Sequence, residues 1–431
     1  IPNHFMRDSS GIFSSSGRGA YGGLFDGPSI QTVMFNGVAV TNDKALWRTG
    51  PQSTELIART ASPAPGTPEG VVFRTLPSIT ALPAVNSAGD VVFSAILAGT
   101  GVTSPNSRGL WKSTETGWTL LARSGNPAIA AGTGVVFSGI IANSSNGTLH
   151  VMDNGDTVFA TGFGGQGVNL GNFRGIYKIT ANGTHVLIAR AGIANPALPT
   201  GTTLVRTTLP QPSSMKVIGN DHVMFTAQLQ GTGVDTTNND VLLRHTTANG
   251  LQLIAREGQV IDGYILKPFV SNGLDLQLTN NGYAVVSATA VSVSNPTGIP
   301  RTAILGISPD GLPHILAVSN FPLTLSDGTS PTPTDLRLST KNALNTQGKV
   351  VFSTPFSTTP RDEAVLVATI GDNIPPTCLG DFDYSGTADV TDIFAFLSAW
   401  FAGSLTADTN NNGILEVPDI FAFLSLWFEG C

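Results

Sequence analysis

Charge is scarce in this sequence. Asp, Glu, Lys and Arg make up 12% of its 431 residues, about half the usual share. Cysteine occurs twice, at Cys378 and Cys431, a number that suits an oxidising compartment if the two pair. No apolar run approaches the ~20 residues that span a bilayer. The longest, 393–401 and 420–428, reach about half that, so the expectation is a soluble globular protein with no membrane span. There is no basic stripe, which argues against nucleic acid as a partner. Zinc-type His and Cys spacings, a Gly-x-Ser-x-Gly elbow, a P-loop and the sialidase Asp-box are all missing. The six His residues share no repeat position. No catalytic residue is nominated, and the expectation is that the chain is not an enzyme. It starts Ile1-Pro2-Asn3 with no basic or apolar leader, as after removal of a signal peptide or trimming of the chain.

What the sequence does have is a repeat. A turn with Asn and Gly enters a short β-rich run at Asn86–Phe93, Asp153–Phe159, Asn220–Phe225, Asn281–Val286 and Asn345–Phe352, with a weaker copy at Gln31–Phe35. From Phe93 the intervals are 66, 66, 61 and 66 residues. A second strand follows, as in Gly109-Leu110-Trp111-Lys112. A third ends on Arg59, Arg123, Arg190 or Arg256, and a fourth reads Gly70-Val71-Val72-Phe73 or Gly134-Val135-Val136-Phe137. Period-2 alternation and Gly/Asn/Pro punctuation make these strands.

Four strands in six copies predict a mainly β fold over 1–370: a six-bladed β-propeller with blades of about 66 residues. Residues 22–27 are expected to close the last blade, and an open β-solenoid is the rival. The recurrent arginines end apolar strands beside Gly/Pro loops, so they are read as structural donors to loop carbonyls rather than as a channel lining. Asp90, Asp156, Asp221 and Asp310 are read as solvated turn-formers.

The acidity lies in the tail. Of the 29 Asp and Glu, nine fall in 372–431, which has no Lys, Arg or His; that leaves 20 against 22 basic residues elsewhere. After a Pro-containing linker at 371–377, residues 378–431 hold two loops with EF-hand ligand spacing, oxygen donors at positions 1, 3, 5, 7, 9 and 12 and Gly at 6. The first is Asp381, Asp383, Ser385, the Thr387 carbonyl, Asp389 and Asp392. The second is Asp408, Asn410, Asn412, the Ile414 carbonyl, Glu416 and Asp419. Each runs into a near-identical helix, 27 residues apart, and two structural Ca²⁺ ions are expected. Pairing Cys378 with Cys431 would close nearly the whole module, worth about 4 kcal/mol; the alternative is two free thiols. Phe394, Phe401, Phe421 and Phe428 lie off the inner helical stripe and either meet a partner or are covered by the propeller.

These loops, followed by Asp-Ile-Phe-Ala-Phe-Leu, resemble dockerins, and the closing Gly430-Cys431 is similar to the Gly-Cys-ended variety on secreted planctomycete proteins, whose tandem Asn-x-x-Gly-x-x-Phe repeats the upstream units also resemble. The resemblance implies a small α-helical dockerin-like calcium module with a cohesin-like domain as partner. The resulting expectation is a secreted, cell-surface-associated, non-catalytic structural protein that attaches or assembles through this module. It binds a cohesin-like domain or neighbouring copies of itself, as an extracellular polymer or filament. Sequons at Asn143, Asn146 and Asn182 could carry glycans. The alternative is a carbohydrate-active or ligand-binding propeller recruited to a cohesin-bearing scaffold.

Overall fold

The computed structural model describes residues 5–13, 18–26, 31–35, 37–50, 53–76, 82–140, 147–205, 215–269, 276–293, 296–321, 323, 332–338, 343–355, 363–371, 380, 382, 388–403, 407, 409 and 414–429. At 5–13, 21–26, 35 and 429 the description is of backbone alone. The fold is mainly β and forms two compact units, Ile1–Ile193 and Ala194–Cys431. This division falls inside the repeat array. Of the expected linker at 371–377, residues 372–377 lie outside the described residues, as do Cys378 and Cys431.

Among the described residues the first unit holds three antiparallel sheets. In hydrogen-bonded order the first is Phe5–Phe13, Gly19–Asp26, Lys44–Thr49 and Thr54–Arg59. The second is Val71–Thr75, Val91–Gly99, Arg108–Thr114 and Gly117–Arg123, with Ala84–Val85 sharing the first edge of Val91–Gly99. The third repeats this with Val135–Ile140, Thr157–Gly165, Arg174–Ile179 and His185–Arg190, plus Leu149–Val151. A separate hairpin pairs Thr32–Phe35 with Val38–Thr41.

The second unit holds three more sheets. The fourth sheet runs Thr202–Leu204, His222–Gly231, Asp240–Thr246 and Gly250–Arg256, with Met215–Ile218 on the first edge. The fifth is built on Tyr264–Lys267, Ala284–Ser292, Arg301–Ile307 and Pro313–Val318, and the sixth on Arg337–Leu338, Lys349–Pro355 and Glu363–Thr369. Two helices follow, α1 (Val390–Phe401) and α2 (Val417–Glu429).

The Val-Val-Phe phrase has a physical cause. In a strand, successive side chains point to opposite faces, and here both faces are buried. Val91, Phe93 and Trp111 pack toward the first sheet with Ala20, Leu46 and Phe73. Val92 and Leu110 pack the other way, with Phe137, Phe159 and Tyr177 of the third sheet. In the second unit Val286 and Leu305 face the fourth sheet while Val285 and Ile304 face the sixth. A sheet covered on both sides needs a continuous apolar run, not an alternating one.

Three sequence expectations are corrected. Residues 22–27 do not complete the last sheet: Gly19–Asp26 is bonded on both edges, by Phe5–Phe13 and Lys44–Thr49, so it is the long inner strand of the first sheet. The weak copy ending at Phe35 is the separate hairpin. The Gly-Val-Val-Phe phrase opens the next sheet instead of closing its own. After Arg59 the chain doubles back, Ala61 N–H donating to Phe73 O at 2.8 Å, while the other edge of Val71–Thr75 pairs with Val91–Gly99.

The repeated arginine is a latch. Nε of Arg59, Arg123, Arg190 and Arg256 donates to the carbonyl of Asn42, Asn106, Asn172 and Asn238, at 2.7, 3.0, 2.8 and 2.7 Å. Three of these asparagines fold their own loop, with Nδ2 donating to Gly101, Gly167 and Gly233 carbonyls at 3.0 Å. The loops leave their strands through Gly99, Gly165 and Gly231 at φ +121°, +93° and +126°. A Cβ at these positions would lie 1.9 to 2.2 Å from a facing carbonyl oxygen, so the position demands glycine. Arg190 also donates Nη1 to Ala131 O at 2.9 Å. Arg190→Ala strands two buried carbonyls and is expected to cost about 2–3 kcal/mol, against about 1 for the half-buried Arg123→Ala. The urea midpoints of the two variants compare them.

Two of the four turn acids are not solvated, while Asp310 is exposed. Asp90 Oδ2 lies 3.2 Å from Lys112 Nζ, and Asp156 Oδ2 lies 3.8 Å from Lys178 Nζ, all four side chains largely buried. The Asn-x-x-Gly turns also tie neighbouring sheets together: Asn86 Nδ2 donates to Met152 O at 2.9 Å and Asn281 Nδ2 to Thr346 O at 2.6 Å.

Candidate functional site

The helical module is built on a near-twofold plan. Phe396 and Phe423 stack at 4.2 Å, and Phe382 stands edge-on to both. Trp427 Nε1 donates to Asp389 O at 2.7 Å, and Trp400 Nε1 to Glu416 O at 3.5 Å, so each helix reaches the loop that precedes the other. Asp392 Oδ2 accepts the Asp389 N–H and Asp419 Oδ2 the Glu416 N–H, both at 2.7 Å. Asp392 and Asp419 have no exposure. Two wholly buried carboxylates in a module without a basic residue fit a hard divalent cation bound through oxygen. Ile414 is also described; Asp381, Asp383, Ser385, Thr387, Asp408, Asn410, Asn412, Cys378 and Cys431 lie outside the described residues. Among the described residues no three His, Cys, Asp or Glu converge as a metal cluster. Phe394, Phe401, Phe421 and Phe428 are 65, 77, 66 and 78% exposed.

A second site lies in the fourth sheet, where the repeat changes its chemistry. In five sheets the residue after the third-strand phrase donates its N–H to the carbonyl of a residue at the start of the second strand. The pairs are Thr60 to Lys44, Ser124 to Arg108, Ala191 to Arg174, Glu257 to Asp240 and Ser319 to Thr302, at 2.8 to 3.0 Å. The donors are otherwise small, and three of the acceptors are basic. In the fourth sheet both become acids, and two carboxyl groups face each other where the other sheets have none.

Glu257 is 2% exposed; Asp240 is half-buried. Gln228 Nε2 donates to Asp240 Oδ1 at 2.8 Å, and the Asp240 N–H points to Glu257 Oε2 at 3.4 Å. Burial raises the Asp240 carboxyl above the ordinary carboxylate range, against the Gln228 bond and the Phe269 N–H. Burial raises Glu257 as well, and the negative charge of Asp240 adds to it; N–H groups of Asp240 and Asn239 and the Lys267 ammonium oppose. Burial therefore favours the protonated form of both carboxyls.

Residues 7–299 match a family of unknown function (DUF7453). The chain belongs to this family. Both Asp240 and Glu257 fall within the DUF7453 segment, and the helical module falls outside it. No curated protein matches the chain. Solved structures similar to it include a GH43 β-1,3-galactosidase, at 10% identity and TM-score 0.27 over 85% of this chain and 72% of that one. Another is the Penicillium chrysogenum α-L-arabinanase complexed with arabinobiose, at 10% and 0.27 over 87% and 95%. A third is the Trypanosoma rangeli sialidase in complex with sialic acid, at 9% and 0.29 over 94% and 57%. These structures stand against the expectation of a non-catalytic structural protein and against the expectation of no enzyme, and both are withdrawn. At such scores the likeness assigns no residue and no chemistry to this DUF7453 chain.

Proposed function

We propose that this chain is a carbohydrate-active or ligand-binding protein, with Asp240 as the group that meets the substrate and Glu257 as its proton-holding partner. The observation that carries the reading is the paired departure from the repeat at these two positions. Cleavage of a glycosidic bond uses one carboxyl to protonate the leaving oxygen and another, ionised, as base or nucleophile. Burial that raises both carboxyls favours the protonated form that the acid role needs. The 61- to 66-residue repeat supports reading the six sheets as the blades of a β-propeller.

The C-terminal module is read as dockerin-like, with Ca²⁺ held by Asp389, Asp392, Glu416, Asp419 and the Ile414 carbonyl together with the loop donors named above, and with a Cys378–Cys431 bridge. It would carry the chain to a cohesin-like domain on a scaffold outside the cell. The ion supplies charge balance and a fixed loop; the chain's own residues supply the helix starts and the Trp crossings.

The test is a panel of polysaccharides incubated with the full chain, read by new reducing ends and by calorimetric binding. Turnover lost in Asp240→Asn, with folding intact, supports the enzyme. Binding without turnover, weakened in the same variant, supports the ligand-binding form. Neither turnover nor binding overturns both.

A further inference from the structure

A cleft of about 450 Å³ in the first unit is lined by Arg18, Arg48, Thr49, Ser53, Glu55 and Glu115, with Gly50 at its wall. Arg48 and Thr49 come from the third strand of the first sheet and Glu55 from the fourth, with Ser53 in the turn between them. Glu115 comes from the corresponding hairpin of the second sheet, and Arg18 crosses between the two. Arg18 Nη1 donates to Ala88 O at 2.7 Å and to Glu115 Oε1 at 2.6 Å. Arg48 is 7% exposed, and its Nη2 pairs with Glu55. Its Nη1 is buried with no hydrogen-bond partner among the described residues. A guanidinium N–H left unmatched in a buried place is costly, and a ligand oxygen meeting it would offset that cost.

The lining decides what that ligand is. Two guanidinium groups and two carboxylates cancel, so the cleft carries no net charge toward a bound molecule and does not select an anion or a cation. Donors and acceptors stand side by side: Arg48 Nη1 gives an N–H, while the outward oxygens of the exposed Glu55 and Glu115 and the hydroxyls of Thr49 and Ser53 accept or give. Neighbouring hydroxyls on one ring present that alternation, one oxygen accepting from the guanidinium while the next O–H donates to the carboxylate. Among the described lining residues no side chain is aromatic or purely aliphatic, which disfavours an apolar ligand.

We infer that this cleft binds a neutral saccharide through vicinal hydroxyls, as a site additional to the Asp240–Glu257 pair. The inference rests on the carbohydrate reading for its ligand class, and its residues lie in the other unit.

The experiment titrates the full chain by calorimetry with xylohexaose, cellohexaose and arabinohexaose, and with trigalacturonate as a charged comparator. At least one neutral hexaose is expected to bind, with little dependence on salt. Arg48→Ala is expected to weaken it tenfold or more. Ser53→Trp, which fills the exposed mouth and leaves the buried arginine in place, is expected to do the same and guards against a folding defect in the first variant.

Binding of trigalacturonate alone, or hexaose binding untouched by both cleft variants, overturns the inference. Binding that survives Arg48→Ala and Ser53→Trp but disappears in Asp240→Asn overturns it while supporting the proposed function. Absence of both binding and turnover overturns the two together.

Discussion

Asp240→Asn is expected to lower the turnover number by about 10²- to 10⁴-fold, the range for loss of a proton-transferring side chain, with little change in melting temperature. The amide keeps the shape and can still take the Gln228 hydrogen bond, so the fold has no reason to respond. Glu257→Gln has a different signature, because the glutamate is wholly buried. Its carboxyl is raised in the folded chain, so folding takes up protons wherever the unfolded chain has lost them. The linkage has one sign: this contribution is fully present below the unfolded carboxyl value, about 4.3, and is lost as pH rises through the raised folded value.

Wild-type stability should decline across that window more steeply than Glu257→Gln stability. At pH 8 the variant should melt higher, by about 2–4 °C for each kcal/mol relieved in units of this size; at pH 4 the two should coincide. Melting curves at the two pH values decide it. Equal slopes would mean that Glu257 ionises as freely in the fold as out of it, and its role as the proton-holding partner would fall.

Much of the sheet architecture was legible because it is written in a period. Strands at Val91, Thr157, His222, Ala284 and Lys349 begin where the Asn/Gly turns end, and the arginine column reads as a latch because it recurs beside the same kind of loop. Strand ownership was not legible. Gly70-Val71-Val72-Phe73 has the same local pattern whether it closes one sheet or opens the next; only the doubling-back after Arg59, a non-local pairing, decides. The long inner strand of the first sheet was hidden by its composition, since Gly19–Asp26 is half glycine and small residues and offers no β-branched run to read.

Asp240 and Glu257 were visible in principle. Stacking the repeat puts Thr60, Ser124, Ala191, Glu257 and Ser319 in one column and Lys44, Arg108, Arg174, Asp240 and Thr302 in another. A search for known motifs passes over them, because the signal is a departure from the chain's own pattern. That the two acids oppose each other needs the hairpin register, which sequence spacing alone does not supply.

Chelation of calcium is expected to melt α1 and α2. Helices of 12 and 13 residues are marginal in isolation, and among the described residues the fully buried apolar side chains of the module are Phe396, Ala407 and Phe423, a small core for such a module. Against that small core stand two unexposed carboxylates and six further acids with no base among them. A bound divalent cation reverses the sign of that electrostatic balance, and its binding energy is folding energy.

The indoles report the change. Trp400 and Trp427 each donate across to the opposite loop, so a loop that loses its ion releases an indole N–H to water and its emission moves to longer wavelength. Far-UV dichroism should lose its helical part at the same chelator concentration, and added Ca²⁺ should restore both. Asp392→Asn and Asp419→Asn should each shift that midpoint to at least tenfold higher calcium, and by similar amounts, because the two halves are near copies. Helices and emission unchanged in excess chelator would mean that the stacked Phe pair and the Trp crossings suffice, and the acids at 392 and 419 would then be plain helix caps.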